Sequence, residues 1–220
     1  MDDSFLAKTA LFQGMNADEA REALTCLDAH EKKYRKGSVI FRAGNRAEYM
    51  AVMIAGRVKI EINDLWGNTT LLGYAEAGEL FAESYACIPG EKLMVNAVAA
   101  ENCTVLFLNA ARLFHICAKT CTHHNLLIRN LLQIMAEKNL TLSRRSLHTS
   151  SKTIRSRLLS YLSEQAKRAD SHQFTIPFNR QELADYLGVD RSALSGELGK
   201  MKRDGLIDFH KNSFLLTPEK

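Results

Sequence analysis

No stretch of about 18 or more apolar residues occurs in this chain, so a membrane-spanning helix is not expected. The opening MDDSFLAKTALFQGM lacks the basic start and apolar run of a secretory signal, which points to the cytoplasm. A disulfide framework is missing as well. The five cysteines are odd in number and lack the spacing of a stapled secreted domain, so they suit reduced thiols. There is no Walker-type loop, nucleophile elbow or zinc-protease helix, and isolated carboxylates or histidines carry no catalysis without a geometry, so no enzyme is expected. Repeats of fixed sequence and low-complexity tracts are absent too.

What is present sets mild limits. The 220 residues, 46% of them hydrophobic, can build one large domain or two ordinary ones. The net charge of +4 says less than its distribution. Between Arg144 and Arg168 the basic residues Arg144, Arg145, Lys152, Arg155, Arg157, Lys167 and Arg168 face only Glu164.

Residues 179 to 209, NRQELADYLGVDRSALSGELGKMKRDGLIDF, carry the strongest signal. Asn179 can cap a helix and Glu182 can reach back to it, which is the reciprocal pairing of a helix start. Leu183 and Leu187 form an apolar face, Ala184 allows close approach, and Gly188 permits a sharp left-handed turn. Asp190 can cap a second helix that begins near Arg191. That helix buries Leu194, Leu198 and Met201 and leaves Arg191, Ser192, Ser195 and Lys200 polar. Two runs, Leu206 to Phe209 and Phe214 to Leu216, flank His210 to Ser213 as a short hairpin carrying Lys211. The pattern is a winged helix-turn-helix, and a plain αα-hairpin is the bland alternative. Arg191, Ser192 and Ser195 in the first turns are placed to meet base edges in a major groove. Arg180, Lys200, Lys202 and Arg203, with Lys211 on the wing, are placed to hold phosphates of double-stranded DNA.

Three regions precede it. Residues 1 to about 33 read as helical, anchored by Phe5, Leu6, Leu11, Phe12, Leu24 and Leu27, with Asn16 as a cap. From about 34 to 110, short apolar runs such as Val39–Phe41, Met50–Ile54 and Val58–Ile62 alternate with glycine turns, a β sandwich or jelly-roll barrel. From about Cys121 to Leu147 a long helix returns. Ile128, Leu131, Met135 and Leu142 repeat at spacings of three and four, and Leu127 and Ile134 widen the stripe. One side can serve the barrel and another a twin subunit in a parallel dimer; the alternative is a helix that only covers its own barrel. His148–Lys152 reads as a hinge, with Ser150 or Ser151 capping the next helix.

Lys36 to Gly44 (KGSVIFRAG), Tyr49 through Ile60 and the helix-turn-helix segment together resemble the CRP/FNR superfamily of bacterial transcription regulators, over nearly the whole chain. The resemblance implies an α+β chain in three parts. Residues 1–120 form an effector-sensing jelly-roll domain like a cyclic nucleotide-binding domain, 121–147 a dimerisation helix, and 148–220 the winged helix-turn-helix. It further implies a homodimer that reads an inverted repeat with half-sites about 34 Å apart. RNA polymerase is an implied partner, and a small effector the implied signal.

Two departures qualify the likeness. Relatives that bind cyclic AMP carry a Gly-Glu pair for the ribose and, some ten residues on, an Arg-Ser or Arg-Thr pair for the phosphate. In this chain those positions are Ala82-Glu83 and Leu93-Met94. Leu and Met cannot supply the charge-assisted bidentate pair that a buried phosphate needs, so no useful affinity for cyclic nucleotides is expected. Glu83 and Ser84 either line a pocket for another, less anionic organic ligand, near Leu93 and Met94, or form a loop at the barrel lip. In the reading helix, many relatives have Glu at Ser192 and Arg at Gly196, so the target sequence is not expected to be the usual one.

One cluster remains, His115-Ile116-Cys117-Ala118-Lys119-Thr120-Cys121-Thr122-His123-His124. On a helix, Cys117, Cys121 and His124 share a side, with His115 as a further ligand for a zinc-like site. The thiols could instead form a redox switch, or simply pack where the barrel meets the long helix. The four-cysteine N-terminal cluster of oxygen-sensing relatives has no counterpart. His and Cys ligands leave haem open. A different class of function, a ligand-binding module that acts on a protein partner, is separated from a DNA reader by the salt dependence of binding.

Overall fold

The computed structural model describes residues 3–114 and 122–217. It divides into two compact units, residues 1–136 and 137–220.

The first unit begins with α1 (Asp3–Leu6), a 3-10 turn (Ala10–Phe12) and α2 (Ala17–Cys26). Asn16 caps α2 as its sequence predicts: its Oδ1 accepts from the amides of Asp18 and Glu19, while Glu19 Oε2 accepts from the Asn16 amide at 2.8 Å. The helical expectation to about residue 33 fails at its end. Leu27 closes the helix, Asp28 takes a positive φ of 52°, and β1 (His30–Tyr34) follows. Its HEKKY sequence has little strand propensity. Antiparallel pairing with β8 (Cys103–Asn109) overrides that preference, and β1's charges suit an edge strand.

The remaining strands are β2 (Val39–Phe41), β3 (Tyr49–Ala55), β4 (Val58–Asn63), β5 (Thr69–Ala75), β6 (Leu80–Phe81) and β7 (Asn96–Ala99). They form two four-stranded antiparallel sheets, ordered β1-β8-β3-β6 and β2-β7-β4-β5. The glycine-punctuated runs of the sequence are therefore the strands of a jelly-roll sandwich. Alternation along β3 and β8 sorts their side chains. Ala51, Met53, Val105 and Phe107 join Val58, Ala97 and Ala99 in one apolar cluster. Met50, Val52, Leu106 and Leu108 join the N-terminal helices in another. Gly56 makes the β3–β4 turn possible. Its φ is +81°, and a Cβ there would sit 2.6 Å from the Asn102 carbonyl oxygen.

Two short helices, α3 (Glu83–Ala86) and α4 (Ala110–Phe114), precede the 28-residue α5 (Thr122–Thr149), about 42 Å long. Leu127 and Leu131 are buried in the cluster with the N-terminal helices, and Ile134 and Met135 pack partly against it. Leu131, within the expected apolar stripe, therefore belongs to the side that serves the chain's own core. Ile128, Leu132 and Leu142 are the exposed apolar residues near that stripe, with Leu132 68% exposed. Buried Asn130 explains part of the register: its Nδ2 donates to the carbonyls of Leu11 and Gln13, both at 2.9 Å.

In the second unit, α6 (Ile154–Ala169), β9 (Gln173–Thr175), α7 (Arg180–Leu187), α8 (Arg191–Arg203), β10 (Ile207–His210) and β11 (Ser213–Leu216) surround Leu158, Tyr161, Leu183, Leu194, Leu198 and Phe214. The three strands are ordered β10-β11-β9. The expected hinge at His148–Lys152 is shorter than predicted, because His148 and Thr149 still belong to α5. Thr153, not Ser150 or Ser151, caps α6 through the Ser156 amide. His148 is only 3% exposed, with Nε2 2.6 Å from Glu164 Oε2 and Nδ1 2.9 Å from the Tyr186 hydroxyl.

Replacing Asn130 with Leu would strand two carbonyls in an apolar setting. We expect Asn130→Leu to cost about 1–3 kcal/mol, read as a lower urea midpoint, whereas a stability equal to wild type would show that these bonds contribute nothing net.

Candidate nucleic-acid interface

The helix-turn-helix is built from its caps outward. Asn179 Oδ1 accepts from the amides of Gln181 and Glu182, and Glu182 Oε2 accepts from the Asn179 amide at 2.7 Å, so the predicted capping box is formed. Gly188 ends α7 with φ 64°. Asp190 Oδ1 then accepts from the amides of Ser192 and Ala193 to start α8. The Ser192 hydroxyl, which also donates to Asp190, and then these amides hold the Asp190 carboxyl below the usual aspartate range.

The C-terminal end of α7 is closed by residues that the sequence did not mark for this role. Arg145 on α5 donates through Nε to the Tyr186 carbonyl (3.0 Å) and through Nη2 to the Asp185 carbonyl (2.9 Å). Arg157 on α6 donates through Nη1 to the carbonyls of Leu187 (3.0 Å) and Gly188 (3.3 Å). Glu164 meanwhile lies 2.6 Å from Arg168, 3.6 Å from Arg144 and 2.6 Å from His148. Arg155 bridges to Glu197 and Asp204, both at 2.7 Å. Much of the basic run from Arg144 to Arg168 is thus internal fastening. The available signal was the solitary Glu164 among many cations.

On α8, Leu194, Leu198 and Met201 are fully buried, which turns the opposite face outward. At 100° per residue that face centres on Ser192, Gly196 and Arg203, with Gly199 and Ser195 towards one edge and Lys200 towards the other, while Arg191 lies off this face and is exposed at the first helical position. Arg191 and Lys200 are exposed; the latter lies 3.7 Å from Glu197. Ser192 donates its hydroxyl to Asp190, and Ser195 donates back to the Arg191 carbonyl at 2.9 Å. Both hydroxyl oxygens keep acceptor capacity. Gly199, which sequence reasoning passed over, shares this smooth face with Gly196.

The wing places the other predicted contacts differently from one another. Lys211 sits at the β10–β11 turn with φ 54° and an exposed side chain. Lys202 pairs with Asp208 and lies 5.6 Å from the Phe209 ring centroid. Arg180 is half-buried: Nη2 donates to the Lys211 carbonyl at 2.7 Å, and its guanidinium lies 4.9 Å and 5.3 Å from the Phe209 and Phe214 centroids. Burial lowers its pKa below the usual arginine value. A groove of about 680 Å³ runs between the start of α7, Arg191 and the wing turn.

The suggested effector positions are less unified. Ala82 adopts φ 62° as the residue before α3, Glu83 is buried and Ser84 is exposed. Leu93 is buried, and its backbone pairs with the 44–45 loop, its amide donating to the Asn45 carbonyl and its carbonyl accepting from the Gly44 amide, both at 2.8 Å. Met94 is 67% exposed. Of the proposed metal or redox set, His115, Cys117 and Cys121 lie outside the described residues. His124 is half-buried, and its Nδ1 has no hydrogen-bond partner among the described residues. No cluster of three or more metal-ligating side chains occurs among the described residues. Nor does any described helix have the length and apolarity to cross a membrane.

Comparison with known proteins agrees with this geometry. Residues 31–120 match the cyclic nucleotide-binding domain, and residues 156–220 match the Crp-like helix-turn-helix domain. The chain is 27% identical over 215 residues to the probable transcriptional regulator flp of Lacticaseibacillus casei, covering 94% of this chain and 91% of that protein. The crystal structure of the Thermus thermophilus catabolite activator protein aligns with a TM-score of 0.52 at 22% identity, over 95% of this chain and 94% of that one. CprK complexed with OCPA aligns with a TM-score of 0.65 at 19% identity, over 90% and 91%. At these identities the two structures bear on the fold alone.

Two measurements follow from α8. A Cβ added at Gly196 meets nothing within 4 Å, so Gly196→Ala should stabilise the protein by about 0.5–1 kcal/mol, seen as a higher melting temperature. Because Asp190 has a lowered pKa, its cap is fully present above the ordinary aspartate value of 3.8 and is lost as pH falls through the lower folded value. The melting-temperature gap between wild type and Asp190→Ala should hold at neutral pH and close only in acid. A gap that closes near neutrality would contradict this account of the cap.

Proposed function

From the premise that the chain belongs to the CRP/FNR superfamily of DNA-binding transcription regulators, we propose that it works as a homodimer on an inverted-repeat operator and is switched by a small effector other than a cyclic nucleotide. The observation that carries the reading is the outward face of α8. Arg191 stands exposed at the first helical position beside two serine hydroxyls, with Lys211 exposed on the wing. Arg191 and the serines meet base edges, and Lys200, Arg203 and Lys211 hold phosphates. With Ser192 and Gly196 on this face, sequence choice rests on fewer side chains than in relatives that carry Glu and Arg at those positions.

Dimerisation is supported by the exposed Ile128, Leu132 and Leu142 on α5, whose spacing of four and ten residues keeps them near one face. A dimer on DNA spaces two α8 helices about one helical turn apart. In the sandwich, buried Leu93 and exposed Met94 occupy the positions of the phosphate clamp and supply neither charge nor a hydrogen-bond donor side chain. That chemistry favours an uncharged or weakly anionic organic effector. Work on DNA places the protein in the cytoplasm, with RNA polymerase as the partner at promoters.

The test is to enrich duplexes from a random pool with the full-length protein and titrate the winners against salt. We expect affinity to fall steeply as salt rises. Arg191→Ala should relax choice at one base pair by about 1–3 kcal/mol, and Lys200→Gln should weaken all sequences alike and reduce the salt slope by about 1. Failure to enrich any sequence, or indifference to both substitutions, would overturn the assignment of α8 as the reading helix.

A further inference from the structure

We propose that Arg180 is the positioning residue of the wing: it acts on DNA recognition through the turn at Lys211 and not as a phosphate contact of its own. The inference rests on the DNA-reading role of the winged unit and deepens it.

Arg180 occupies the first position of α7, where an exposed cation would ordinarily be free to meet a phosphate. Its guanidinium is committed elsewhere. Nη2 donates to the Lys211 carbonyl at 2.7 Å, and the planar group lies over Phe209 and Phe214, which face each other across β10 and β11. Planarity matters here, because a guanidinium can stack on rings and donate in its own plane, whereas an ammonium is a compact point charge.

The turn it grips needs a grip. Lys211 holds φ 54°, a left-handed conformation that a lysine adopts only at some cost. The next residue is already tied on its other side. Asn212 Nδ2 donates to the Ile176 carbonyl at 3.1 Å, and the Asn212 carbonyl accepts from the Ile176 amide at 2.9 Å. Without Arg180 the turn is fixed by one neighbour only. With it, the Lys211 side chain projects from a backbone anchored to both α7 and the segment before it. Lys202 completes the arrangement from α8, paired with Asp208 and approaching the ring of Phe209. The wing thus takes its position from both helices of the reading motif, through cations that would otherwise be counted as DNA contacts.

The experiment uses full-length Arg180→Lys and Arg180→Met, with Lys200→Gln as a phosphate-contact reference, on duplexes enriched by the wild-type protein. Hydrogen exchange is followed on the free proteins in parallel. We expect both Arg180 variants to speed exchange at residues 210–214 by about tenfold while core amides of α7 and α8 keep their wild-type rates. We also expect both to weaken DNA binding by about tenfold with an unchanged salt slope, in contrast to the slope reduced by about 1 in Lys200→Gln. The proposal is overturned if Arg180→Lys binds like wild type while Arg180→Met loses one unit of slope, which is the signature of a phosphate contact. It is equally overturned by wild-type exchange at the turn, or by faster exchange throughout the winged unit, which would mark a general stability role. Should the wild-type protein enrich no duplex, the DNA reading itself fails, and exchange on the free proteins still decides whether Arg180 holds the wing.

Discussion

The closure of α7 at its C-terminal end is the constraint on which the reading motif depends. A helix end leaves carbonyls without intrahelical donors, and in a helix-turn-helix those carbonyls lie where the chain must turn sharply. Here Arg145 and Arg157, from two different helices, donate to the carbonyls of residues 185 to 188, while the Val189 amide serves that of Ala184. The turn at Gly188 and the start of α8 at Asp190 are thereby tied to α5 and α6 by directional bonds as well as by apolar packing. Buried His148, held between Glu164 and Tyr186, strengthens the same junction from the last turn of α5.

This constraint changes how the positive charge of the chain is understood. A run of cations around one acid looks, as a string of letters, like a patch offered to nucleic acid. In three dimensions Arg145, Arg155, Arg157 and Arg168 are held by carbonyls and carboxylates of their own unit. Arg180 and Lys202 are spent in the same way on the wing. On α8 and the wing turn, the cations left outward include Arg191, Lys200, Arg203 and Lys211. Because these charges sit on α8 and the wing turn, the anchoring of the wing bears on function.

The first unit follows a different logic. Its sandwich forms because β3 and β8 carry apolar residues at both parities, so one sheet can face its partner sheet on one side and the N-terminal helices and α5 on the other. Leu127 and Leu131 complete that second core, which leaves Ile128 and Leu132, one residue further along the helix in each case, outside it. The same helix can therefore close a core and still present an apolar edge. In the same sandwich Leu93 is buried and Met94 exposed, and neither side chain carries a charge.

Local chemistry determined the elements whose signals are local. The caps at Asn16, Asn179 and Asp190, the turn at Gly188, the apolar face of α8 and the wing hairpin could all be read from the sequence, because each rests on residues within a few positions of one another. So could the glycine-punctuated strands. The tertiary structure alone decided the rest. β1 is a strand because β8 is there to pair with it, whatever its charged letters prefer. Leu131 faces inward because Asn130 is drawn to the carbonyls of Leu11 and Gln13, more than a hundred residues away in sequence. Whether an arginine is a fastener or a contact depends on which carbonyls and rings the fold brings within reach of its long side chain, and no spacing along the chain encodes that distance.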